Sequence, residues 1–212
     1  MTSCSCEGIE TQFDQRAAAR KLSDYRKHGP AATTRLLIAA LQEAGAAGRT
    51  LLDIGGGVGA IQCELLKAGA ASAVSVDAST AYGEAAQQEA RHQGLAGRVQ
   101  YYQGDFVALA DSVAPADIVT LDRVICCYAN MPALVSASAD RARQLYGLVY
   151  PRDAAWVRLG LRFENLYNRL TGSRFRVFGH PTAAVEAILQ ARGLRRRFHR
   201  LSGVWQVAVY AR

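Results

Sequence analysis

Residues 51–61, LLDIGGGVGAI, set a run of glycines between two apolar stretches. Glycine allows a tight backbone turn and lets a ligand approach the main chain where any other residue would present a Cβ. Taken alone, the run fits two ligand classes. Gly55-x-Gly57-x-x-Ala60 satisfies the dinucleotide pattern, whose last position accepts alanine. Asp53, two residues before Gly55, extends the run to Asp-x-Gly-x-Gly-x-Gly, ending at Gly59. A carboxylate there can accept hydrogen bonds from the ammonium of an amino acid. Two further acids follow apolar runs: Asp77 closes SAVSVD, and Asp105 follows Gly104 after RVQYYQ, where its carboxylate can receive an adenine amine. Each also has a purely local use as a turn or helix cap.

The elements that must hold these residues are readable from periodicity. TLLDI (50–54), SAVSVD (72–77), RVQYYQ (98–103), DIVTLDRVI (117–125) and LYGLVYP (145–151) are short apolar runs of strand type. Helical patterns separate most of them, including about 58–68 and about 80–93, the latter closed by Gly94. Before them, residues 1–12 read as a loose arm, Phe13 to His28 as a charged helix broken by Gly29-Pro30, and Leu36, Leu37, Ala40 and Leu41 as one face of a second helix ended by Gly45. After them, a helical stripe at Trp156, Leu159, Phe163, Leu166, Tyr167 and Leu170 spans 153–171, and another helix starts at Pro181 and runs to about Arg192. The last strands, roughly 194–201 and 204–211, have only Ser202-Gly203 between them, which demands a hairpin and hence antiparallel pairing. The predicted fold is α/β: a doubly wound, seven-stranded, mostly parallel sheet with its last strand antiparallel and a helical cap at the N-terminus. The expected division is an arm and cap helix over 1–30 and one ligand-binding domain over 31–212.

Composition narrows the classes further. A chain of 212 residues that is half apolar buries a full core. No apolar run approaches the roughly 20 residues of a membrane span and no signal-peptide pattern opens the chain, so a cytoplasmic location is expected. Five cysteines, Cys4, Cys6, Cys63, Cys126 and Cys127, have no spacing of a secreted disulfide scaffold and read as thiols. The net charge of +7 is densest at Arg195, Arg196, Arg197, His199 and Arg200. That cluster suits either a solvated sheet edge, where charge discourages edge pairing, or an anionic partner.

In the combination of Asp53 with its glycines, the acids at two later strand ends, leading helices and a closing hairpin, the sequence over about 25–212 resembles the class I S-adenosylmethionine-dependent methyltransferases. The resemblance implies S-adenosyl-L-methionine as cofactor, with Asp53, Gly55, Gly57 and Gly59 on its methionine part, Asp77 on the ribose hydroxyls, Asp105 beside adenine and Phe106 against the ring. Tyr25, Arg26 and His28 would cover its carboxylate, unless they form a solvated helix face. DIVTLDRVICCY, from Asp117 to Tyr128, matches the region that opens onto the methyl donor. Tyr128, Asp122 and His180 are the candidate catalytic residues, each a possible general base if the acceptor must lose a proton. Each also has a plain structural use: Asp122 in binding a loop, Tyr128 in packing, His180 in shaping the helix start before Pro181.

The implied activity is transfer of a methyl group to a small-molecule acceptor that is aromatic, lipophilic or thiophilic. The resemblance would also let the N-terminal arm bring Cys4 and Cys6 to Cys126 and Cys127, a thiol set suited to a soft ion or a metalloid; simple packing of unpaired cysteine is the alternative. The stripe from Trp156 to Leu170 either roofs an acceptor pocket or packs on the core. Quinone-ring and tetrapyrrole-carboxyl methyltransferases are similar in layout, a likeness that names no substrate. Nucleic-acid methylation ranks lower, because LDRVICCY lacks the Asn/Asp-Pro-Pro-Tyr pattern of nucleobase amino methylation. A non-catalytic cofactor-binding regulator is the reading from another class.

Overall fold

The computed structural model describes residues 8–212. A short turn of helix, α1 (Ile9–Gln12), precedes α2 (Gln15–His28), which starts where the Asp14 carboxylate accepts from Ala17 N. That side-chain cap satisfies a helix-start donor and fixes the boundary two residues after Phe13, which therefore stands free to pack elsewhere. The chain continues through α3 (Ala32–Glu43), β1 (Thr50–Ile54), α4 (Ala60–Lys67), β2 (Ser72–Asp77), α5 (Thr80–His92), β3 (Val99–Gln103) and α6 (Phe106–Leu109). It closes with β4 (Ala116–Asp122), α7 (Met131–Asp140), β5 (Ala142–Pro151), α8 (Ala155–Leu170), α9 (Thr182–Ala191), β6 (Arg195–Ser202) and β7 (Trp205–Ala211).

The strands form one seven-stranded sheet in the order β3-β2-β1-β4-β5-β7-β6. All neighbours pair in parallel except those of β7, which runs antiparallel to both β5 and β6. Side chains alternate between the two faces. Leu51, Ile118, Val207 and Val209 turn to the layer of α2 to α5, while Leu52, Val119, Leu121, Ala208 and Tyr210 turn to that of α6, α7 and α9. Strand order reverses between β1 and β4, and in open parallel sheets a ligand crevice opens at the carboxyl ends of the strands at such a reversal.

Several boundaries differ from the sequence expectation. The arm predicted as loose to residue 12 already forms α1, held by Glu10 Oε1 accepting from Thr80 Oγ1 at 2.8 Å. The fourth strand stops at Asp122 instead of reaching residue 125, because Arg123 adopts a positive φ of 61° and the chain then turns through Ile125–Cys127 as a short 3-10 helix. The stripe on α8 does not pack on the core: Val157 is the buried residue of that helix, and Trp156, Phe163, Tyr167 and Leu170 are exposed. The arginine-rich strand β6 is the sheet's outer edge, its arginines exposed.

Candidate functional site

The glycine loop lies between the end of β1 and the start of α4, at the strand-order reversal. Asp53 sits in β1 in register with Thr120 of β4, and the Thr120 hydroxyl donates to Asp53 Oδ1 at 2.7 Å. Its other oxygen, Oδ2, is buried and has no partner among the described residues. Burial, reinforced by the nearby charges of Asp122 and Asp77 and opposed by the Thr120 bond, pushes the Asp53 carboxyl up to about 7. A Cβ on Gly56 would stand 2.9 Å from this Oδ2, so the backbone is drawn over the carboxylate in a way only glycine permits. Gly55 has a φ of 63°, and a Cβ there would lie 2.5 Å from Val124 Cγ2. Gly59, by contrast, starts α4 behind the loop, where an added Cβ would meet Gln62 and Ala86.

The other two acids are held by their own local turns. Asp77 Oδ2 accepts from Gly57 N at 3.0 Å and Oδ1 from Ser79 N at 2.8 Å, which clamps the end of β2 to the glycine loop. Burial raises its carboxyl despite those bonds. Each oxygen keeps a second lone pair for a hydroxyl donor. Asp105 caps α6, its Oδ1 accepting from Val107 N, and the Tyr128 hydroxyl donates to both of its oxygens at 2.9 and 3.0 Å. The sequence-predicted catalytic tyrosine is thus committed to the predicted adenine-side acid.

One cavity of about 990 Å³ joins these parts. Asp53, Gly55, Gly57, Asp77, Asp105 and Phe106 line one end of it, and Trp156, Val157, Leu161, Phe175, Val177 and Trp205 form an apolar wall at the other. From α2, Tyr25 and His28 face it, as does Lys21, which sequence reading missed although the 21, 25, 28 spacing puts all three on one helix face. The Tyr25 hydroxyl itself turns away, donating to Glu64 Oε1 at 2.7 Å, and Arg26 pairs with Glu89 on α5. Phe13 lies edge-on to both Tyr82 and Phe175, at 5.5 and 5.4 Å between ring centres, and so ties the two ends of the cavity together.

Between the two ends stands a cluster at the close of β4. Asp122 accepts from the Thr34 hydroxyl and from Arg123 Nε at 3.0 Å, Arg123 Nη2 donates to Thr34 Oγ1, and the Arg123 guanidinium lies 5.8 Å over the Trp205 ring. Among the described residues Arg123 is the one non-glycine with positive φ, a strained conformation of the kind that clusters at functional sites. Sequence reading passed over it, since arginine carries no marker for that conformation.

His180 is not in the cavity lining. Its Nε2 lies 2.8 Å from Ile125 O, and because a carbonyl only accepts, that nitrogen carries the hydrogen. Burial lowers the imidazole's proton affinity against the opposing backbone bonds to Ile125 and Tyr128, and the ring ties the segment before α9 to the 125–128 turn. Cys126 and Cys127 both line the cavity with their sulfurs 3.8 Å apart, both directed at Arg123 O. Cys4 and Cys6 lie outside the described residues, among which no group of three or more His, Cys, Asp or Glu is arranged to hold a metal.

These residues fit a cationic amino-acid nucleoside: a buried carboxylate oxygen has no donor among the described residues, glycine backbone leaves room beside it, and acids stand at or just past the carboxyl ends of three adjacent strands. A family model described as a methyltransferase domain matches residues 51–145. No curated protein matches the sequence. Among solved structures, magnesium protoporphyrin IX methyltransferase from Synechocystis PCC 6803 with bound SAH superposes with a TM-score of 0.73 at 18% identity, covering 96% of this chain and 98% of that one. An O-methyltransferase family protein from Burkholderia thailandensis gives 0.71 at 17% identity over 96% and 62%. An O-methyltransferase family 2 protein from Planctomyces limnophilus in complex with apigenin gives 0.61 at 16% over 87% and 62%. Sheet order, glycine loop and the methyltransferase-domain match over residues 51–145 agree, and the chain has the fold of the class I S-adenosylmethionine-dependent methyltransferases.

Proposed function

We propose that this chain is an enzyme that transfers a methyl group from S-adenosylmethionine to a small-molecule acceptor with a large apolar body, by in-line displacement. The observation that carries the reading is the single cavity running from the acid-flanked glycine loop to an apolar wall. When bound, S-adenosylmethionine supplies an electrophilic methyl group, and the protein's share is orientation. Asp53 Oδ2 receives the ammonium, Lys21 and His28 face the carboxylate, and the free lone pairs of Asp77 take the ribose hydroxyls. Asp105, held in place by Tyr128, receives the adenine amine beside Phe106. Arg123 and Asp122, fixed by Thr34, border the space between the two ends and orient a polar group of the acceptor. Asp122 is the candidate base; Tyr128 and His180 are positioning residues.

Two structural relatives favour a flat acceptor: one is named for magnesium protoporphyrin IX and another is complexed with apigenin, both planar ring compounds. The apolar wall of Trp156, Phe175 and Trp205 suits such a ring face. The test is incubation with methyl-labelled donor and pooled planar metabolites, with calorimetry against S-adenosylhomocysteine. A labelled product and a binding heat are expected. Binding without transfer across broad pools would leave a regulator, and binding of a pyridine dinucleotide in place of the sulfonium nucleoside would overturn the reading.

A further inference from the structure

Helix α8 is amphipathic the wrong way round for a core element. Its inward face carries Val157 and Leu161 together with Asn165, whose side chain donates to Val177 O at 2.7 Å and accepts from Val177 N at 2.8 Å. Its outward face carries Trp156, Leu159, Phe163, Leu166, Tyr167 and Leu170, between 51% and 78% exposed. A stripe of this size on a soluble surface is unfavourable unless something covers it. The stripe mixes Trp, Tyr, Phe and Leu, the set that lodges at a membrane interface.

Charge and length define the cover. From 152 to 180 the chain holds Arg152, Arg158, Arg162, Arg169, Arg174 and Arg176 against Asp153 and Glu164, a surplus of four positive charges out of the net +7. Basic side chains flanking an apolar face are complementary to anionic lipid headgroups. Sixteen residues make a helix of about 24 Å, shorter than the roughly 30 Å of a bilayer's hydrocarbon. No helix among the described residues is long and apolar enough to cross a membrane, so α8 suits lying in the interface plane. One edge of it, Trp156, Gly160 and Glu164, borders the cavity.

We propose that α8 docks on an anionic membrane with its apolar stripe in the headgroup layer, so that the cavity opens beside the bilayer and admits a lipophilic acceptor from it. The docking stands by itself; the acceptor's route rests on the methyl-transfer reading above. The test is flotation of the full chain with vesicles of phosphatidylcholine alone or with phosphatidylglycerol, alongside light scattering. Flotation is expected only with the anionic vesicles, falling with salt. Phe163→Glu with Tyr167→Glu and Leu170→Glu, none of which lines the cavity or the core, abolishes it. Arg162→Glu with Arg169→Glu lowers partitioning at least about tenfold, the scale set by attraction of basic side chains to an anionic surface. Both variants keep the calorimetric heat with S-adenosylhomocysteine, which separates failure of docking from failure of the cofactor reading. No flotation, equal flotation with neutral vesicles, or a stable dimer that Phe163→Glu dissociates would overturn the proposal.

Discussion

Replacing Asp53 with Asn removes one buried charge and should change two measurable quantities in opposite directions. In the folded protein the Asp53 carboxyl titrates near 7, against an ordinary value of 3.8. Between those two pH values the unfolded chain has lost its proton while the folded chain keeps it, so stability falls as pH rises through that window and levels off above 7. At about 1.4 kcal/mol per pH unit, the interval sets an upper bound of about 4 kcal/mol at pH 8. Asp53→Asn keeps an oxygen for the Thr120 hydroxyl and has no charge to bury, so in urea titrations at pH 5 and pH 8 its stability should change less than that of the parent. At pH 8 the variant should be the more stable of the two. Binding of S-adenosylhomocysteine moves the other way: its ammonium favours the ionised carboxylate, so near pH 6 the parent releases a proton on binding, detected by calorimetry in buffers of different ionisation heat. The Asn variant binds more weakly and releases none. Equal pH slopes in the two proteins, or equal affinity and proton release, would refute the assignment of a strained, cation-receiving carboxylate.

Gly55→Ala must adopt a left-handed φ against Val124 and should cost about 1–3 kcal/mol, while Gly83→Ala, in α5 with nothing within 4 Å of its Cβ, should gain about 0.5–1 kcal/mol in the same denaturant assay. Burial raises the carboxyl of Glu89, but bonds from Gln93 and Arg26 outweigh it and hold the group below its ordinary value, which adds stability at neutral pH that is lost as pH falls through the carboxylate range. Arg26→Ala should therefore destabilise by about 1–3 kcal/mol at pH 7 and by less at pH 4, compared by urea midpoints. Among the described thiols, Cys63, pushed up to about 12 by burial, and Cys126, raised by its bond to Cys127 and by burial, should resist iodoacetamide at pH 8 in the folded state, while Cys127 reacts. Peptide mapping checks this, and labelling of Cys63 as fast as Cys127 would contradict the packing.

Strands were legible because burial writes itself into short apolar runs: TLLDI and SAVSVD coincide with β1 and β2 to the residue. The hairpin was legible from chain length alone, since two residues between strands leave no room for a crossover. Position of the glycine loop followed from the same logic, a turn joining a buried strand to a helix. What escaped was set by contacts rather than by pattern. The stripe on α8 announces a helix, but the face turned inward is chosen by Asn165 and its bonds to Val177, which no periodicity encodes. Phe13 reads as the first turn of a helix until Asp14 caps that helix behind it. Arg123 is in an ordinary-looking strand tail, and its conformation is imposed by Asp122, Thr34 and Trp205 from three separate elements. His180 stands just before Pro181, and nothing in the pattern around it encodes the 2.8 Å contact of its Nε2 with Ile125 O.

Among the described residues no partition divides the cavity, which bears on inhibitor chemistry. Glycine loop and apolar wall share one void, so a compound joining a nucleoside head to a hydrophobic tail loses its translational freedom once where two separate ligands lose it twice. The gain in affinity over the unlinked halves then measures how well the tether matches the path past Arg123, and a series of tether lengths reads out the distance between the two compartments without a bound structure.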